Sequence, residues 1–527
     1  MQRRTFLATA GSVALGLAQT TAKKPNILWI TCEDIGPHLA ACGDKYSVTP
    51  NLDELATRST IFMNAWSNAP VCAPARTTII SGMYPPATGG EHMRSMVPMP
   101  AGKLMYPQYL RQAGYYCTNN AKEDYNLEKP GKVWDESSNK AHWRNRPAGQ
   151  PFFAVFNLLI THESQIRTRP HVLKHDPAEA RIPAYHPDTP EVRKDWAQYY
   201  DNITTMDGQA AKLLADLKAD GLDQDTIVFF YGDHGSGMPR SKRWPYNSGL
   251  NVCILLHVPE KYKSLAPPEY KAGAHSDRLV SFVDLASTVI SIAGANPPAH
   301  MHGQAFAGQY QTPARDYIHG FRGRMDERYD LVRSVRDKRY IYIRNYMPHK
   351  IYGQYIAYMF ETPTTAVWRK LYDEGKLKPP QTYFWEKKQP EELYDLQTDR
   401  DEVNNLAKSP QHKAILERLR KAQRDHMAKI RDVGFLPEEE LHTRKLDGPI
   451  PVAEIHAMAE AASSLTAAAV PELKKGLVHA DSAVRYWAAM GFVMRQSTPP
   501  ELNKLLADPS PSVRAVVSCE NLSLDSS

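Results

Sequence analysis

The stretch Pro25-Asn26-Ile27-Leu28-Trp29-Ile30 is a short apolar run with branched and aromatic side chains. A run of this length is typical of a strand that is buried on both faces of a sheet. Residues 152–158 and 226–231 have the same character, and apolar residues at helical spacing lie between the runs, at 51–56 and 196–217. Strands that alternate with helices predict an α/β fold, with a mostly parallel sheet covered by helices on both faces.

The bulk composition is that of an ordinary globular chain. Of 527 residues, 42% are hydrophobic and 23% charged, and the net charge of +6 is a mild bias that suits an anionic substrate. No basic run or nucleic-acid motif stands out, which argues against a nucleic-acid partner. None of the six cysteines forms a CxxC pair, which argues against a structural zinc site and leaves one or two disulfides open.

The amino terminus has the pattern of an export signal. Arg3-Arg4-Thr5-Phe6-Leu7 precedes an apolar stretch, Ala8–Ala18, that is shorter than the roughly 20 residues of a membrane-spanning helix. Residues 1–22 therefore resemble a twin-arginine signal peptide, with a disordered basic leader as the alternative. We expect an exported protein, periplasmic or extracellular, without stable insertion in a membrane.

The chain divides into a main α/β domain, residues 23–320, and two smaller units. Residues 321–445 predict an α+β subdomain, with a hairpin turning at Asp337-Lys338, a loop-like stretch over 345–390, a strand at 392–396 and a helix around 410–430.

The carboxyl-terminal tail, residues 450–527, contains two related segments. The pairs Val484-Arg485 and Val513-Arg514 each open a helical pattern, 29 positions apart by their numbers. This spacing resembles short HEAT-like helical repeats, which often serve as protein-docking modules, and a lone helical cap is the alternative.

Acidic and histidine side chains follow the predicted strands directly. Glu33-Asp34 follows the first strand, His162 the middle one, and Asp233-His234 the later one. Sites in open α/β sheets form at the carboxyl ends of strands, and carboxylate oxygens suit calcium or magnesium. The local alternative is that each acid caps a turn.

The segment Val71-Cys72-Ala73-Pro74-Ala75-Arg76 leads into a helical pattern that continues to Ser81-Gly82. Pro74 is near the helix start, a favoured position for proline. Cys72 would lie at the positive end of the helix, and Arg76, one turn further, could pair with an anion. A buried cysteine at a helix start is the alternative.

Cys72-Ala73-Pro74-Ala75-Arg76 with Ser81-Gly82-Met83-Tyr84-Pro85 resembles the signature of type I sulfatases, of the alkaline phosphatase superfamily. The resemblance covers residues 25–430, and Ile30–Pro37 is similar to heparan N-sulfatase-like members. It implies an alkaline-phosphatase-like fold and hydrolysis of a sulfated carbohydrate, as an O-ester or N-sulfate. It also implies a formylglycine made from Cys72 by a separate maturation enzyme, and a bound calcium, with magnesium as the alternative.

The resemblance assigns roles residue by residue. The implied metal ligands are Glu33, Asp34, Asp233 and His234, together with the modified Cys72. The side chains implied to act on the sulfate group are Arg76, Lys122 and Lys242, and His162 matches the histidine near the leaving group. Val283-Asp284-Leu285 with Thr288 matches a segment that we interpret as structural.

The chain departs from the family pattern at three positions. Glu33 and His234 replace the aspartate and asparagine often found there, and Asp124 stands where a histidine is usual. The second base is therefore open between Asp124 and His92. A charged cluster, Arg324, Asp326 and Glu327, is a candidate sugar-binding group, with a solvated loop as the alternative.

Two other functions remain open at this stage. A phosphomonoester or phosphonate monoester hydrolase would share the fold and the formylglycine. A non-catalytic polyanion-binding protein would leave Cys72 unmodified.

Overall fold

The computed structural model describes residues 23–524, and the surroundings of side chains up to residue 518. The predicted signal peptide, residues 1–22, lies outside the described residues and stays a prediction. Within the described part of the chain, no helix is both long and apolar enough to cross a membrane.

The first eight strands form one sheet in the order β4-β3-β5-β1-β6-β7-β2-β8. All neighbours pair in parallel except β7, which is antiparallel to both β6 and β2. These strands are β1 (Asn26–Cys32), β2 (Thr60–Trp66), β3 (Tyr116–Asn120), β4 (Glu136–Ser137), β5 (Phe152–Leu158), β6 (Thr226–Gly232), β7 (Asn251–His257) and β8 (His275–Ser281). The three runs predicted as strands are β1, β5 and β6, at the centre of the sheet.

Four further strands form a separate antiparallel sheet in the order β12-β11-β10-β9. They are β9 (Ile318–Arg322), β10 (Val332–Arg336), β11 (Tyr340–Asn345) and β12 (Glu391–Asp395). The predicted hairpin at Asp337-Lys338 joins β10 to β11, with Arg336 opposite Ile341.

Besides nine short 3-10 helices, the described residues also contain sixteen α-helices. They are α1 (Pro50–Thr57), α2 (Cys72–Ser81), α3 (Pro85–Thr88), α4 (Tyr106–Gln112), α5 (Glu163–Ile166), α6 (Pro190–Ala219), α7 (Asn247–Leu250), α8 (Val283–Ile292), α9 (Ala357–Phe360), α10 (Pro363–Asp373), α11 (Lys413–Ile430), α12 (Glu438–Thr443), α13 (Val452–Ser463), α14 (Val470–Gly476), α15 (Ser482–Arg495) and α16 (Pro511–Leu524).

Both faces of the large sheet are covered, as the apolar runs predict. Trp29 of β1 points to a core shared with α2, α4 and α8, whereas its neighbour Leu28 points to a core shared with α1 and α6. This alternation follows from the two-residue period of a strand, and it explains why these strands are apolar at every position. The fold is therefore the predicted α/β architecture.

The expectation of a loop over residues 345–390 is wrong in part, because α9 and α10 fall within it. Pro363 occupies the first turn of α10, where a missing N–H costs no hydrogen bond. Trp368 of α10 is fully buried in a core with Phe384 and Trp385. The proline and tyrosine content of the stretch predicted a loop, but α10 is a short amphipathic helix. Tertiary packing of its buried face stabilises it.

The tail repeats one local structure. Val484 and Val513 are both buried, at the third position of α15 and of α16. The arginine after each valine donates to the carbonyl oxygens five and six residues before it, from Arg485 to His479 and Ala480, and from Arg514 to Asp508 and Pro509. The related sequences thus build equivalent helix starts.

These tail helices pack against the chain's own smaller sheet region, by which we mean the four-stranded sheet β9 to β12 and the segment that follows α11. Trp487 of α15 is fully buried and donates its indole N–H to the carbonyl oxygen of Phe435, at 2.8 Å. Tyr346 and Leu331 belong to the same core. The inner face of the tail is therefore occupied, and docking of another protein through the tail stays a prediction.

Candidate active site

The candidate site lies where four adjacent parallel strands end. β3, β5, β1 and β6 are neighbours in that order, so the loops that follow them meet at one edge of the sheet. The side chains that these loops supply are Lys122 after β3, His162 and Glu163 after β5, Glu33 and Asp34 after β1, and Asp233 and His234 after β6.

The loops after β1 and β6 approach each other closely. A Cβ atom on Gly232 would lie 2.2 Å from the carbonyl oxygen of Ile35, so only glycine fits at the end of β6. Asp34 has a φ of 52°, in the left-handed region that aspartate tolerates better than most residues. Its N–H donates to Oδ1 of Asp233 at 3.0 Å, which joins the two acidic loops.

Cys72 is the first residue of α2 and is 3% exposed. Its Sγ lies 3.3 Å from Oε2 of Glu33, 3.6 Å from Nε2 of His234 and 4.0 Å from Oδ1 of Asp34. Burial and the charge of Glu33 raise the pKa of the thiol well above its ordinary value. The unmodified side chain is therefore a neutral thiol, which is a poor nucleophile compared with a thiolate.

Three carboxylates around Cys72 form a candidate cation site. Oxygens of Glu33, Asp34 and Asp233 lie within 4.8 Å of one another, and Asp34, Cys72 and His234 form an overlapping group. Burial and the charge of Glu33 raise the pKa of Asp233, because these buried negative charges repel. A divalent cation would offset that repulsion, and a set rich in carboxylate oxygens suits calcium or magnesium. The residues present fit such an ion.

Arg76 and Lys122 line the side of the cluster next to Glu33. Arg76 donates from Nη1 to Oδ1 of Asn157 at 2.6 Å, and its Nη2 lies 3.2 Å from Oδ2 of Asp233 and also pairs with Glu33. Lys122 donates to Oε2 of Glu33 at 2.6 Å. Two buried or half-buried cations therefore contact Glu33, the carboxylate that lies 3.3 Å from Sγ of Cys72.

Lys242 lines the part of the cluster next to Asp34. Its Nζ donates to Oδ2 of Asp34 at 2.6 Å and lies 3.1 Å from Oε1 of Glu163. Burial alone would raise the pKa of Asp34, but the charges of Lys242 and His234 hold that pKa well below its usual range. Asp34 is therefore a carboxylate, although it is fully buried.

His162 precedes the single turn of α5. Its Nδ1 lies 2.9 Å from Oγ of Ser164 and accepts from the Ser164 N–H at 3.3 Å. The histidine forms a group with Glu33 and Cys72 whose ligand atoms lie within 4.8 Å of one another. Burial and the charge of Lys242 lower the pKa of the imidazole. The chain thus holds one ring nitrogen and leaves the other for the site.

Three residues of the site were not singled out from the sequence. Glu163 pairs with Arg243 through two contacts, of 2.9 and 2.7 Å, and Asn157 links Arg76 to Asn119. A signal existed for Glu163, which directly follows His162 at a strand end, and for Asn157, a polar residue inside an apolar strand. With these side chains included, four carboxylates face four cations: Glu33, Asp34, Glu163 and Asp233, and Arg76, Lys122, Lys242 and Arg243.

The two candidates for a second base differ in position. Asp124 lies beside the site, with Oδ2 3.8 Å from Nζ of Lys122. His92 is fully buried, accepts from the Arg324 N–H at 2.9 Å and packs on Tyr329, and burial lowers its pKa to about 4. The described contacts of His92 are therefore with the smaller sheet region, so the geometry favours Asp124.

The charged cluster proposed for sugar binding is occupied by protein groups. Arg324 pairs with Glu438 at 2.7 Å, and Asp326 pairs with Arg243 at 2.5 Å. Glu327 accepts from the N–H of Ala357 at 2.7 Å. Direct contact with a sugar stays a prediction for these three residues. Their contacts in the structure are with other protein groups, which they help to hold in place.

The candidate disulfides are not formed among the described side chains. Cys32, Cys42, Cys72, Cys117 and Cys253 are all free thiols in residues 23–518. Cys72 is therefore not held in a disulfide with another described cysteine.

Comparison with known proteins assigns this fold and site to a class. The sulfatase family model matches residues 25–127 and 116–295. An ulvan-active sulfatase of Formosa agariphila is 40% identical over 477 residues, which are 81% of this chain and 78% of that protein. The N-sulphoglucosamine sulphohydrolase of Homo sapiens is 24% identical over 481 residues, 79% of this chain and 91% of that protein.

One solved structure resembles this chain in its fold, and at its low sequence identity the resemblance concerns the fold alone. The phosphonate monoester hydrolase of Silicibacter pomeroyi superposes with a TM-score of 0.58 at 17% identity, over 78% of this chain and 97% of that one. The family match and the 40% identical relative, in contrast, are specific. The chain belongs to the sulfatase family, whose members are sulfuric ester hydrolases, and the resemblance carried by residues 72–76 is confirmed at that level.

Proposed function

We propose that this enzyme hydrolyses a sulfate ester of a carbohydrate, through a formylglycine formed from Cys72 and a calcium ion held by the adjacent acids. The observation that carries the proposal is the placement of Cys72 at the start of α2, within 4.0 Å of Glu33, Asp34 and His234. The names of relatives active on ulvan and on N-sulphoglucosamine support a sulfated sugar as substrate.

The burial of Cys72 supports an order of maturation. Because Cys72 is 3% exposed, a maturation enzyme that oxidises its thiol to the aldehyde needs access before the chain closes around it. A twin-arginine leader exports folded proteins, so the proposed order is modification, folding and then export. Unmodified Cys72 in protein recovered from outside the cytoplasm would contradict that order.

When present, hydrated formylglycine would supply a hydroxyl nucleophile for sulfur, and a bound calcium would lower the pKa of that hydroxyl. Glu33, Asp34, Asp233 and His234 would hold the ion. Arg76 and Lys122 contact Glu33 and Lys242 contacts Asp34, both beside Cys72, so in this proposal the three cations would bind the sulfate oxygens and stabilise charge that develops on them.

His162 would protonate the oxygen that leaves as an alcohol, because its Nδ1 is held by Ser164 while the ring reaches the Cys72 group. The negative charge of a bound sulfate would favour the protonated imidazole. Asp124, beside Lys122, would accept a proton from the hydrated residue 72.

The proposal is tested on protein produced together with a maturation enzyme. The mass of the peptide containing residue 72 is expected to decrease by the amount for thiol-to-aldehyde conversion. Sulfate release from ulvan oligosaccharides and from N-sulfated glucosamine is then compared with phosphate release from matched esters. A clear preference for phosphate esters would favour the phosphonate hydrolase alternative, and an unmodified, inactive protein would favour polyanion binding.

Replacing His162 with glutamine is expected to slow hydrolysis of sugar sulfates by about 10²- to 10⁴-fold, the usual contribution of a general acid. The loss should be much smaller for 4-nitrophenyl sulfate, whose phenolate leaves without protonation. Steady-state kcat/KM on both substrates checks this result. An equal decrease of kcat/KM for the sugar sulfate and for 4-nitrophenyl sulfate would mean that His162 positions the substrate and does not transfer a proton.

A further inference from the structure

The one-turn helix α5 connects His162 to Arg167, which contacts Tyr358. His162 precedes the helix and Arg167 ends it, so the two side chains are held by the same short element. The guanidinium of Arg167 lies 4.3 Å from the ring centroid of Tyr358, within the range of a cation–π contact. Arg167 also pairs with Glu361 at 2.8 Å, and its side chain is only 12% exposed. Arg167 is therefore fixed in place against the tyrosine.

Tyr358 lies on the outer side of His162. The centroids of the two rings are 6.3 Å apart, with an angle of 53° between the ring planes. The tyrosine is 37% exposed, and Tyr355 on the same segment is 53% exposed. An aromatic surface that faces solvent therefore borders the histidine that would donate a proton to the leaving oxygen.

The segment that carries Tyr358 is anchored to the site. The N–H of Ala357, at the start of α9, donates to Oε1 of Glu327 at 2.7 Å. The neighbouring Asp326 pairs with Arg243, which in turn pairs with Glu163 beside His162. Tyr358 is thus tied to the catalytic edge from two directions, which is the rigidity that a substrate-binding surface requires.

We propose that Tyr358 is a specificity-determining residue that stacks on the pyranose ring of the departing sugar, with Arg167 as the positioning residue that holds the tyrosine. A sugar ring presents an apolar C–H face, and an aromatic ring offers a large rigid surface with a negative face. The inference rests on the proposed function, since it takes His162 as the group beside the leaving oxygen. The inference goes beyond the proposed function because it names Tyr358 as the residue that selects a carbohydrate over another sulfate ester.

The test replaces Tyr358 with alanine and measures two quantities. One is kcat/KM for whichever carbohydrate the wild type desulfates fastest among ulvan oligosaccharides and N-sulfated heparin disaccharides. The other is the inhibition constant of inorganic sulfate, which occupies the sulfate pocket without a sugar. We expect kcat/KM to decrease about tenfold, the scale of one lost stacking contact, while the inhibition constant stays unchanged.

Two variants serve as controls. Tyr358→Phe keeps the ring and should retain wild-type kcat/KM. Tyr310→Ala removes another tyrosine, 42% exposed, and should change neither quantity. The proposal is overturned if Tyr358→Ala behaves like Tyr310→Ala on the carbohydrate, or if it weakens inhibition by inorganic sulfate as much as it lowers kcat/KM. A wild type that releases no sulfate from any ester would instead defeat the proposed function.

Discussion

Replacing Cys72 with alanine is expected to lower kcat/KM for every sulfate ester by at least about 10⁴-fold, the scale seen when a nucleophile is removed. The physical reason is that no other side chain occupies its position. Cys72 is the residue at the start of α2 that contacts Glu33, Asp34 and His234 together. Sulfate release measured on purified protein, with circular dichroism to confirm folding, checks the result.

Cys117→Ala is the matched control for this experiment. Cys117 is also a fully buried free thiol on the large sheet, but its sulfur faces the carbonyl oxygens of Pro107 and Tyr115. We expect this variant to keep wild-type activity per folded molecule. Full activity in Cys72→Ala would refute both the nucleophile and the formylglycine.

The second large effect is expected for Asp34→Asn. Asparagine keeps the shape of the side chain but removes the charge that faces Lys242 and His234. We expect the purified variant to lose bound calcium, measured by elemental analysis, and kcat/KM to decrease by about 10³-fold or more, because a divalent cation needs carboxylate charge and positions the nucleophile.

Asp330→Asn makes the same change in a second buried pair. Asp330 is fully buried and pairs with Lys388, and among the described residues it forms no hydrogen bond or ion pair with Glu33, Asp34 or Asp233. Each variant removes one carboxylate partner of a buried lysine, although Lys242 keeps Glu163 as a second partner, so their melting temperatures report the cost of losing that partner. Asp330→Asn should retain calcium and activity in the folded fraction. If Asp34→Asn kept stoichiometric calcium, the charge of Asp34 would not be needed to hold the metal.

Much of the catalytic edge could be predicted from local sequence. Residues 25–30, 152–158 and 226–231 predict central strands because each is apolar on both faces, and β1, β5 and β6 are adjacent and parallel. Parallel strands bring their carboxyl ends together, so the polar residues after each run were expected to meet. The structure brings together Glu33, Asp34, His162 and Asp233, while their catalytic roles remain proposals.

Other features depend on contacts between distant segments. Three such features follow from packing of the smaller sheet region against the large sheet. They are the double pairing of Glu163 with Arg243, the burial of His92 beside Arg324, and the ion pair of Asp326 with Arg243. No periodicity in the chain reports such contacts, because each partner has an ordinary local sequence.

The sequence by itself determined the three central strands, the strand-end acids and the helix start at Cys72, since all of these depend on side-chain period and on neighbours within a few residues. Tertiary structure alone decided which charges pair, that α10 forms in a proline-rich stretch, that the tail covers the subdomain through Trp487, and that Tyr358 borders His162. The physical reason is that burial and pairing energies belong to surfaces that are assembled only when the chain has folded.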